Sequence, residues 1–312
     1  MLPFKSRPSS VARSLGAAAL LGVSSRIKPG TNVFSKDWDL LVILDTCRPD
    51  GLQEVSGQAD FIPDEVDTIW SVGSSTREWV GNTFIKDYKE EIQETAVITA
   101  NAALSNGTQD KGWSVLPDIA RRVTNWSLVD EDDIGYTDNV WKYGPVDPWT
   151  GTSVPWGVTD RAISVGRKHN YDRDIVHYIC PHSPYRSRSM KQNRPPYDHE
   201  RYPWEHIDSN IDNDVWEVYL DEIRWVLEYV EMLLNNFDAD NMVISADHGD
   251  LFGELGIKAH PDGVPHPGLR RVPWVKTEAN DTGSYVPSIE PQNESSSQHE
   301  LESQLRELGY IE

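Results

Sequence analysis

Uninterrupted runs of apolar residues are the feature that most constrains how this chain can fold. Leu40 to Leu44 are five apolar residues in a row, and similar runs occupy Thr95 to Ala100, Ile175 to Cys180 and Met242 to Ala246. Such runs are typical of strands buried on both faces, as in a parallel sheet covered by helices. Between them lie helical patterns, the clearest from Trp216 to Leu234. The sequence therefore predicts an α/β fold, a three-layer α/β/α sandwich with a mainly parallel central sheet.

The stretches outside these runs predict the domain organisation. We expect residues 1–36 to form an N-terminal helical extension, residues 37–275 the main domain, and residues 276–312 a polar linker with a short helix from Glu300 to Leu308. The apolar stretch Leu15 to Val23 superficially resembles a signal peptide. The nearby Arg13, the interrupting glycines and the lack of a clear cleavage site instead favour an amphipathic or half-buried helix, and hence a cytoplasmic protein.

The charge balance restricts the partners of the protein. Asp and Glu number 50 against 29 Lys and Arg, which gives a formal net charge of −21. This field repels nucleic acid and anionic lipid unless local basic residues or a metal intervene, so we expect no nucleic-acid partner. The acidic residues are spread evenly along the chain and Lys is scarce, which suggests a protein kept soluble in high salt. No apolar run approaches the length of a membrane span.

The two cysteines, Cys47 and Cys180, exclude a disulfide scaffold or a Cys-based zinc cluster. Both lie at the ends of predicted buried strands. We therefore expect packed thiols rather than a disulfide.

Polar side chains follow three of the predicted strands. Asp45 comes after the first, His182 after the third, and the pair Asp247 and His248 after the fourth, with Gly249 allowing a sharp turn. Reactive groups in parallel sheets collect at the carboxyl ends of strands. A single His or Asp there is more often a hydrogen-bonded structural residue. Together, these residues predict a site for Zn, Mn or Mg, which carboxylate oxygen and imidazole nitrogen can bind.

A segment rich in hydroxyl groups supplies a candidate nucleophile. Ser71 to Arg77 reads SVGSSTR and precedes an amphipathic stretch from Glu78 to Phe84. Hydroxyl residues that open a helix place an alcohol and backbone amides where an anion can bind. The same pattern also fits a helix N-cap supported by Glu78. The two roles are compatible, and the residues leave Ser74, Ser75 and Thr76 as alternatives for the nucleophile.

Two more segments are expected to border the site. His260 and His266 lie among Pro and Gly residues, which excludes a helix and predicts a stiff loop; a surface turn is the alternative. The stretch Leu269 to Val275 is expected to be an edge strand, where Pro273 is tolerated. Residues 185–214, rich in Arg, Pro, Tyr and His, predict a long loop over the site that contributes to substrate selectivity.

These motifs, taken in order, resemble the alkaline phosphatase/sulfatase superfamily in its sulfatase-like branch. The resemblance covers Asp37 to about Val275, and acidic archaeal members of the branch are similar. It rests on the following pieces of the chain: VILDTCRPD, SSTREW, VHYICPHSPY, SADHGDLFGE and HPDGVPHPGLRRVPWV. The resemblance implies a metal-dependent catalytic domain acting on an anionic ester, with one divalent ion (Mn, Zn, Mg or Ca) or two; an Asp that would complete a second metal site is not obvious in the sequence.

The resemblance also implies roles for individual residues. Asp45, Asp247 and His248 match metal ligands of the superfamily. Thr76 resembles the Thr that is both nucleophile and metal ligand in lipoteichoic acid synthase-like and phosphoethanolamine transferase-like members. His182 resembles the His that holds the anionic group of the substrate. The further residues that it assigns to metal or anion binding are His260, also a candidate metal ligand, His266 and Arg77.

The chain departs from true sulfatases at the nucleophile. The Cys-x-Pro-x-Arg motif that is converted to formylglycine is missing, since Ser75-Thr76-Arg77 stands at its place, and Thr46 replaces the second Asp of the sulfatase pair. We therefore predict hydrolysis or transfer at a phosphate ester, with a sulfate ester less favoured, through Thr76. The alternatives are a catalytically silent binding protein of the same fold, and a phosphoglycerol- or phosphoethanolamine-type transferase acting on a glycan or lipid.

Overall fold

The computed structural model describes residues 8–102, 122–207 and 213–291. The helix expected from Glu300 to Leu308 lies outside these ranges. The described helices and strands, labelled in chain order, are α1 (Pro8–Ile27), β1 (Leu40–Leu44), α2 (Pro49–Val55), β2 (Thr68–Trp70), α3 (Thr76–Thr83), α4 (Lys89–Gln93), β3 (Thr95–Thr99), β4 (Tyr136–Asn139), α5 (Pro155–Lys168), β5 (Arg173–Tyr178), α6 (Ser187–Lys191), α7 (Asp198–Arg201), α8 (Asn213–Leu234), β6 (Ala239–Ser245), β7 (Leu251–Phe252), β8 (Lys258–Ala259), α9 (Pro267–Arg270) and β9 (Arg271–Ala279).

One twisted sheet organises the described part of the chain. The seven strands of this sheet pair in the order β2-β9-β6-β1-β5-β3-β4. Strand β1 is parallel to both of its neighbours, β5 and β6, whereas β9 is antiparallel to β6 and to β2. Strands β7 and β8 form a separate small hairpin. The predicted α/β fold with a mainly parallel central sheet is confirmed.

Both faces of the sheet are buried under helices. Along β1, Leu40, Val42 and Leu44 pack against the cluster that contains α2, α5 and α8. The alternate residues Leu41 and Ile43 pack against a second cluster, to which α1 and α3 contribute. All five β1 side chains are buried. An apolar run without alternation is therefore explained by burial on both faces.

Strand β9 is not the edge strand that Pro273 suggested. It pairs with β6 on one side and with β2 on the other, and Pro273 faces Thr68 of β2. Because β2 has only three residues, the ladder on this side is short, and the loss of one backbone donor at Pro273 is tolerated.

The described part of the polar segment after β9, up to residue 291, makes contacts with the main domain. The strand itself continues to Ala279. Beyond it, the backbone N–H groups of Ser288 and Ile289 donate to the buried Asp160 of α5 at 2.8 and 3.0 Å. Residues 280–291 therefore pack against the main domain.

The long segment from residue 185 to 207 contains two short helices, α6 and α7, so the expected loop is partly helical.

Cys47 and Cys180 are buried free thiols, as predicted. None of the helices in the described ranges is long and apolar enough to cross a membrane.

Candidate active site

The turn after β1 fixes Asp45 at the carboxyl edge of the sheet. Thr46 has a positive φ of 64°, a left-handed conformation that is costly for a β-branched residue and needs support from its surroundings. The Tyr219 hydroxyl of α8 provides that support by donating to the Thr46 carbonyl at 3.0 Å and accepting from Arg48 N–H at 2.8 Å. The chain therefore reverses directly behind Asp45, whose side chain is fully buried.

The end of β6 places Asp247 and His248 beside Asp45. His248 Nδ1 lies 2.9 Å from the carbonyl of Gly249. Because a carbonyl only accepts, Nδ1 carries the proton and Nε2 keeps its lone pair. That Nε2 is 3.4 Å from Asp247 Oδ2 and 3.7 Å from Asp45 Oδ1. Gly249 is required for close approach, since a Cβ there would lie 2.3 Å from the Gly268 carbonyl oxygen.

The three hydroxyl residues at the start of α3 make different contacts. Ser75 caps the helix, accepting from Glu78 N–H and donating to Asp262 at 2.5 Å. Ser74 Oγ donates to Glu78 at 2.8 Å. Thr76 Oγ1 instead lies 3.4 Å from Asp45 Oδ2 and 3.2 Å from His248 Nε2. Of the three hydroxyl groups, the one of Thr76 is therefore within reach of the Asp and His cluster.

Sequence reasoning missed two members of this cluster, His177 and Asn101. His177 lies inside the buried strand β5, and its Nε2 is 3.9 Å from Asp45 Oδ2 and 4.0 Å from Asp247 Oδ2. Asn101 follows β3 and donates to Asp45 Oδ2 at 2.7 Å. A His within the mostly apolar run Ile175 to Cys180 and a polar residue at a strand exit were the available signals.

The cluster has the composition of a metal site. Asp45, His177 and Asp247 each offer a ligand atom, and these atoms lie within 4.8 Å of one another in the buried interior. Asp45 Oδ1, Asp247 Oδ2 and both ring nitrogens of His177 have no hydrogen-bond partner among the described residues. Buried polar atoms without partners are costly. Convergent carboxylate and imidazole groups that lack partners therefore fit a divalent cation.

Burial shifts the pKa values of these groups. Burial, followed by the charge of Asp247, raises the pKa of Asp45 well above its usual range. Burial lowers the pKa of His177 to about 4 and that of His248 to about 3. Both imidazoles are therefore neutral at pH 7 and keep a lone pair for a ligand bond.

A row of imidazole rings leads away from the cluster. The ring of His260 lies 4.6 Å from that of His248 and 5.0 Å from that of His182, centre to centre. His182 Nδ1 donates to the Ser183 carbonyl, and its Nε2 has no partner among the described residues. Burial lowers the pKa of His182 to about 3. His182 is thus a neutral group facing the site.

His260 differs from its neighbours because it is paired with Asp250. Its Nδ1 lies 2.7 Å from Asp250 Oδ1. Burial opposes the charged form, but the surrounding carboxylates, Asp250 first and then Asp247 and Asp262, together outweigh it and raise the pKa of His260 above its ordinary value. Burial likewise opposes the charged form of Asp250, yet its pKa is lowered, chiefly by His260. The row therefore contains one imidazole that favours positive charge.

The remaining predicted residues lie at the border of the site or outside it. Arg77, 11% exposed, is 3.4 Å from Asp262, the residue that also binds Ser75. His266 accepts a hydrogen bond from Gly268 N–H and caps the start of α9. No contact found among the described residues joins His266 to the cluster. The structure thus supports a capping role for His266, and its role in substrate binding stays a prediction.

A buried ion pair connects helix α3 to its surroundings. Glu78 of α3 accepts from Arg270 at 2.5 Å, from Ser74 N–H at 2.8 Å and from Gly263 N–H at 3.2 Å. Ser24 of α1 also donates to it. Because the pair is buried and fully hydrogen-bonded, it fixes α3 relative to the loop that carries His260.

The geometry defines a class of protein: an α/β sandwich with a buried Asp and His cluster and a hydroxyl residue at the carboxyl edge of its sheet. Phosphoethanolamine transferases and sulfatases are among the solved structures that are similar to this chain. No family model matches the chain, and neither does any curated protein.

Three of these structures illustrate the similarity. The soluble domain of lipooligosaccharide phosphoethanolamine transferase A from Neisseria meningitidis is 15% identical, with a TM-score of 0.45 over 78% of this chain and 76% of that one. The periplasmic domain of a phosphoethanolamine transferase from Campylobacter jejuni is 14% identical, with a TM-score of 0.42 over 76% and 78%. A putative sulfatase from Bacteroides thetaiotaomicron is 12% identical, with a TM-score of 0.41 over 88% and 71%.

Proposed function

We propose that this protein is a metal-dependent enzyme that hydrolyses or transfers a phosphate ester, with Thr76 as the nucleophile. A sulfate ester is the less favoured substrate. The observation that carries the proposal is the position of Thr76 Oγ1, which lies within 3.4 Å of both Asp45 and His248 in a buried cluster of carboxylate and imidazole groups.

The residues that would hold a divalent ion are Asp45, Thr76, Asp247 and His248, with His177 as a further candidate. When bound, the ion would lower the pKa of the Thr76 hydroxyl and offset negative charge on the ester oxygens. Asn101 would orient Asp45 through the hydrogen bond to its Oδ2.

The nucleophilic step follows from the position of Thr76 at the start of α3. Its oxygen would attack the phosphorus while the bond to the leaving alcohol breaks, giving a phosphothreonine. Water would then cleave the threonine–phosphorus bond in hydrolysis, and an acceptor alcohol would do so in transfer. Arg77, which also contacts Asp262, and His260, which is paired with Asp250, would supply cationic hydrogen-bond donors to the anion in a protein of net charge −21. His182 would contribute its neutral imidazole to an ester oxygen.

Metal content and ester cleavage together test the proposal. We would measure bound metal by elemental analysis, with aryl phosphate and aryl sulfate as substrates, for the wild type, Asp247→Ala and Asp240→Ala. Asp240 is the matched control, because the same substitution is made in β6, the strand that leads to Asp247, at an exposed position away from the cluster. The expected result is near-stoichiometric metal and phosphatase activity in the wild type and the control, with both lost in Asp247→Ala.

Two outcomes would count against the proposal. Equal metal content in all three proteins would contradict the ligand assignment. A wild type that binds no metal under any loading condition and cleaves neither ester would favour a catalytically silent protein of the same fold. Comparing products with and without an acceptor alcohol separates transfer from hydrolysis.

A further inference from the structure

The charge of the N-terminal segment is opposite to that of the rest of the chain. Residues 1–36 contain no Asp or Glu, although the whole chain has 50. The basic residues of this segment are Lys5, Arg7, Arg13, Arg26, Lys28 and Lys36. A positive segment on a strongly acidic protein indicates a local surface that can approach an anionic partner.

Helix α1, in this segment, has one buried and one exposed side. Leu21 and Ala18 are buried, and Leu21 packs with the core cluster beneath the sheet. Leu20, Val23 and Ile27 are 41%, 56% and 69% exposed. Their spacing of three and four residues places them along one side of the helix. We call these three residues the apolar stripe.

Basic residues border the apolar stripe. Arg26 donates to the carbonyl oxygens of Gly22 and Val123, which fixes its guanidinium at the helix surface. Arg122, which directly precedes Val123, is exposed. Lys28 follows the helix and is 3.3 Å from Asp87. The stripe therefore lies on a surface that combines apolar and positively charged groups.

We propose that the apolar stripe and its basic border dock onto a lipid bilayer that contains anionic lipids. A helix that presents apolar side chains beside Arg and Lys lies in the interface of a bilayer, with the apolar groups in the acyl boundary and the cations at the headgroups. The charge balance favours this bilayer, since residues 1–36 contain six basic residues and no acidic residue, whereas the whole chain has a net charge of −21. The proposal goes beyond the proposed function, because it concerns binding and not ester cleavage.

The docking surface borders the candidate site. Gly263 lies against Leu20 and Leu21 of α1, since a Cβ at Gly263 would be 2.6 Å from the Cβ of Leu20. The loop from His260 to Gly263 carries His260 and contacts Ser74 and Ser75. A bilayer at the apolar stripe would therefore lie close to the loop that borders the cluster.

Vesicle binding by the full chain tests the proposal. The probes are vesicles of phosphatidylglycerol and of phosphatidylcholine, measured by co-sedimentation at low and high salt. The variants are Val23→Asp, Ile27→Asp and the control Val286→Asp. Val286 is 81% exposed and follows Tyr285, which packs against the core cluster on the other face of the sheet. Unfolding temperatures of all variants are measured alongside.

The expected result is binding to phosphatidylglycerol vesicles that is at least about tenfold weaker for phosphatidylcholine and that weakens as salt is added. Val23→Asp and Ile27→Asp should each weaken it at least about tenfold, with Val286→Asp and all unfolding temperatures unchanged. Wild-type protein that binds neither vesicle would overturn the proposal, as would stripe variants that bind like the control. Stripe variants that lower the unfolding temperature instead would also overturn it, because the stripe would then be covered by the chain itself.

Discussion

Replacing Thr76 and Ser75 separately is the sharpest test of the nucleophile. The two residues are adjacent and buried, but Ser75 caps α3 whereas Thr76 faces the Asp and His cluster. Ser75→Ala loses the cap, which costs about 1 kcal/mol of stability. Thr76→Ala loses a buried methyl group along with its hydroxyl, and the methyl is worth about 0.8 kcal/mol. We therefore expect similar small losses of stability from two variants that differ greatly in activity.

The expected rates follow from these positions. Thr76→Ala should lower the turnover of an aryl phosphate by about 10³-fold or more, equivalent to about 4 kcal/mol of barrier. Ser75→Ala should stay within roughly tenfold of the wild type, because a cap contributes about 1 kcal/mol. Thr76→Ser keeps a hydroxyl and should retain measurable activity.

The assay is initial-rate hydrolysis at saturating substrate, with urea unfolding and metal content measured on the same preparations. Thr76→Ala that keeps wild-type turnover would refute the assignment of the nucleophile. Equal activity losses in Thr76→Ala and Ser75→Ala, with intact folding, would show that the two residues contribute equally to activity. The assignment of Thr76 as nucleophile and of Ser75 as helix cap alone would then be wrong.

Two further predictions concern buried groups. His177→Gln should weaken metal binding at least about tenfold in a calorimetric titration, because His177 Nε2 faces Asp45 and Asp247; unchanged affinity would exclude His177 as a ligand. Burial raises the pKa of Asp174 to about 7, above its value in the unfolded chain, so its contribution to stability is full at low pH and is lost as pH rises towards 7. Urea unfolding at pH 5 and pH 8 tests this. The free energy of unfolding of Asp174→Asn, relative to that of the wild type, should therefore increase by about 2–3 kcal/mol between the two pH values. A difference that is the same at both pH values would contradict the ionisation of a buried Asp174.

Most of the predicted framework depended on local patterns. The run Leu40 to Leu44 predicted a strand buried on both faces, and the apolar spacing from Trp216 to Leu234 predicted the helix α8, which ends at Leu234. The prediction of an edge strand was wrong, because the pairing partner of β9 is β2, a three-residue strand with no recognisable run of its own. When two paired strands lie far apart in the sequence, no local pattern in either strand indicates that they pair.

The sequence by itself determined the fold class, the buried strands and the chemical types at the strand exits, because apolar periodicity and strand topology depend on short stretches of chain. Only the tertiary structure decided which hydroxyl faces the Asp and His cluster, since Ser74, Ser75 and Thr76 differ by their contacts with Glu78, Asp262 and His248. It likewise placed His177 within 4.0 Å of Asp45 and Asp247. Apart from the local contact between Ser74 and Glu78, these contacts join residues from about 70 to 190 positions apart, and such contacts are set by packing of the whole chain rather than by any local pattern.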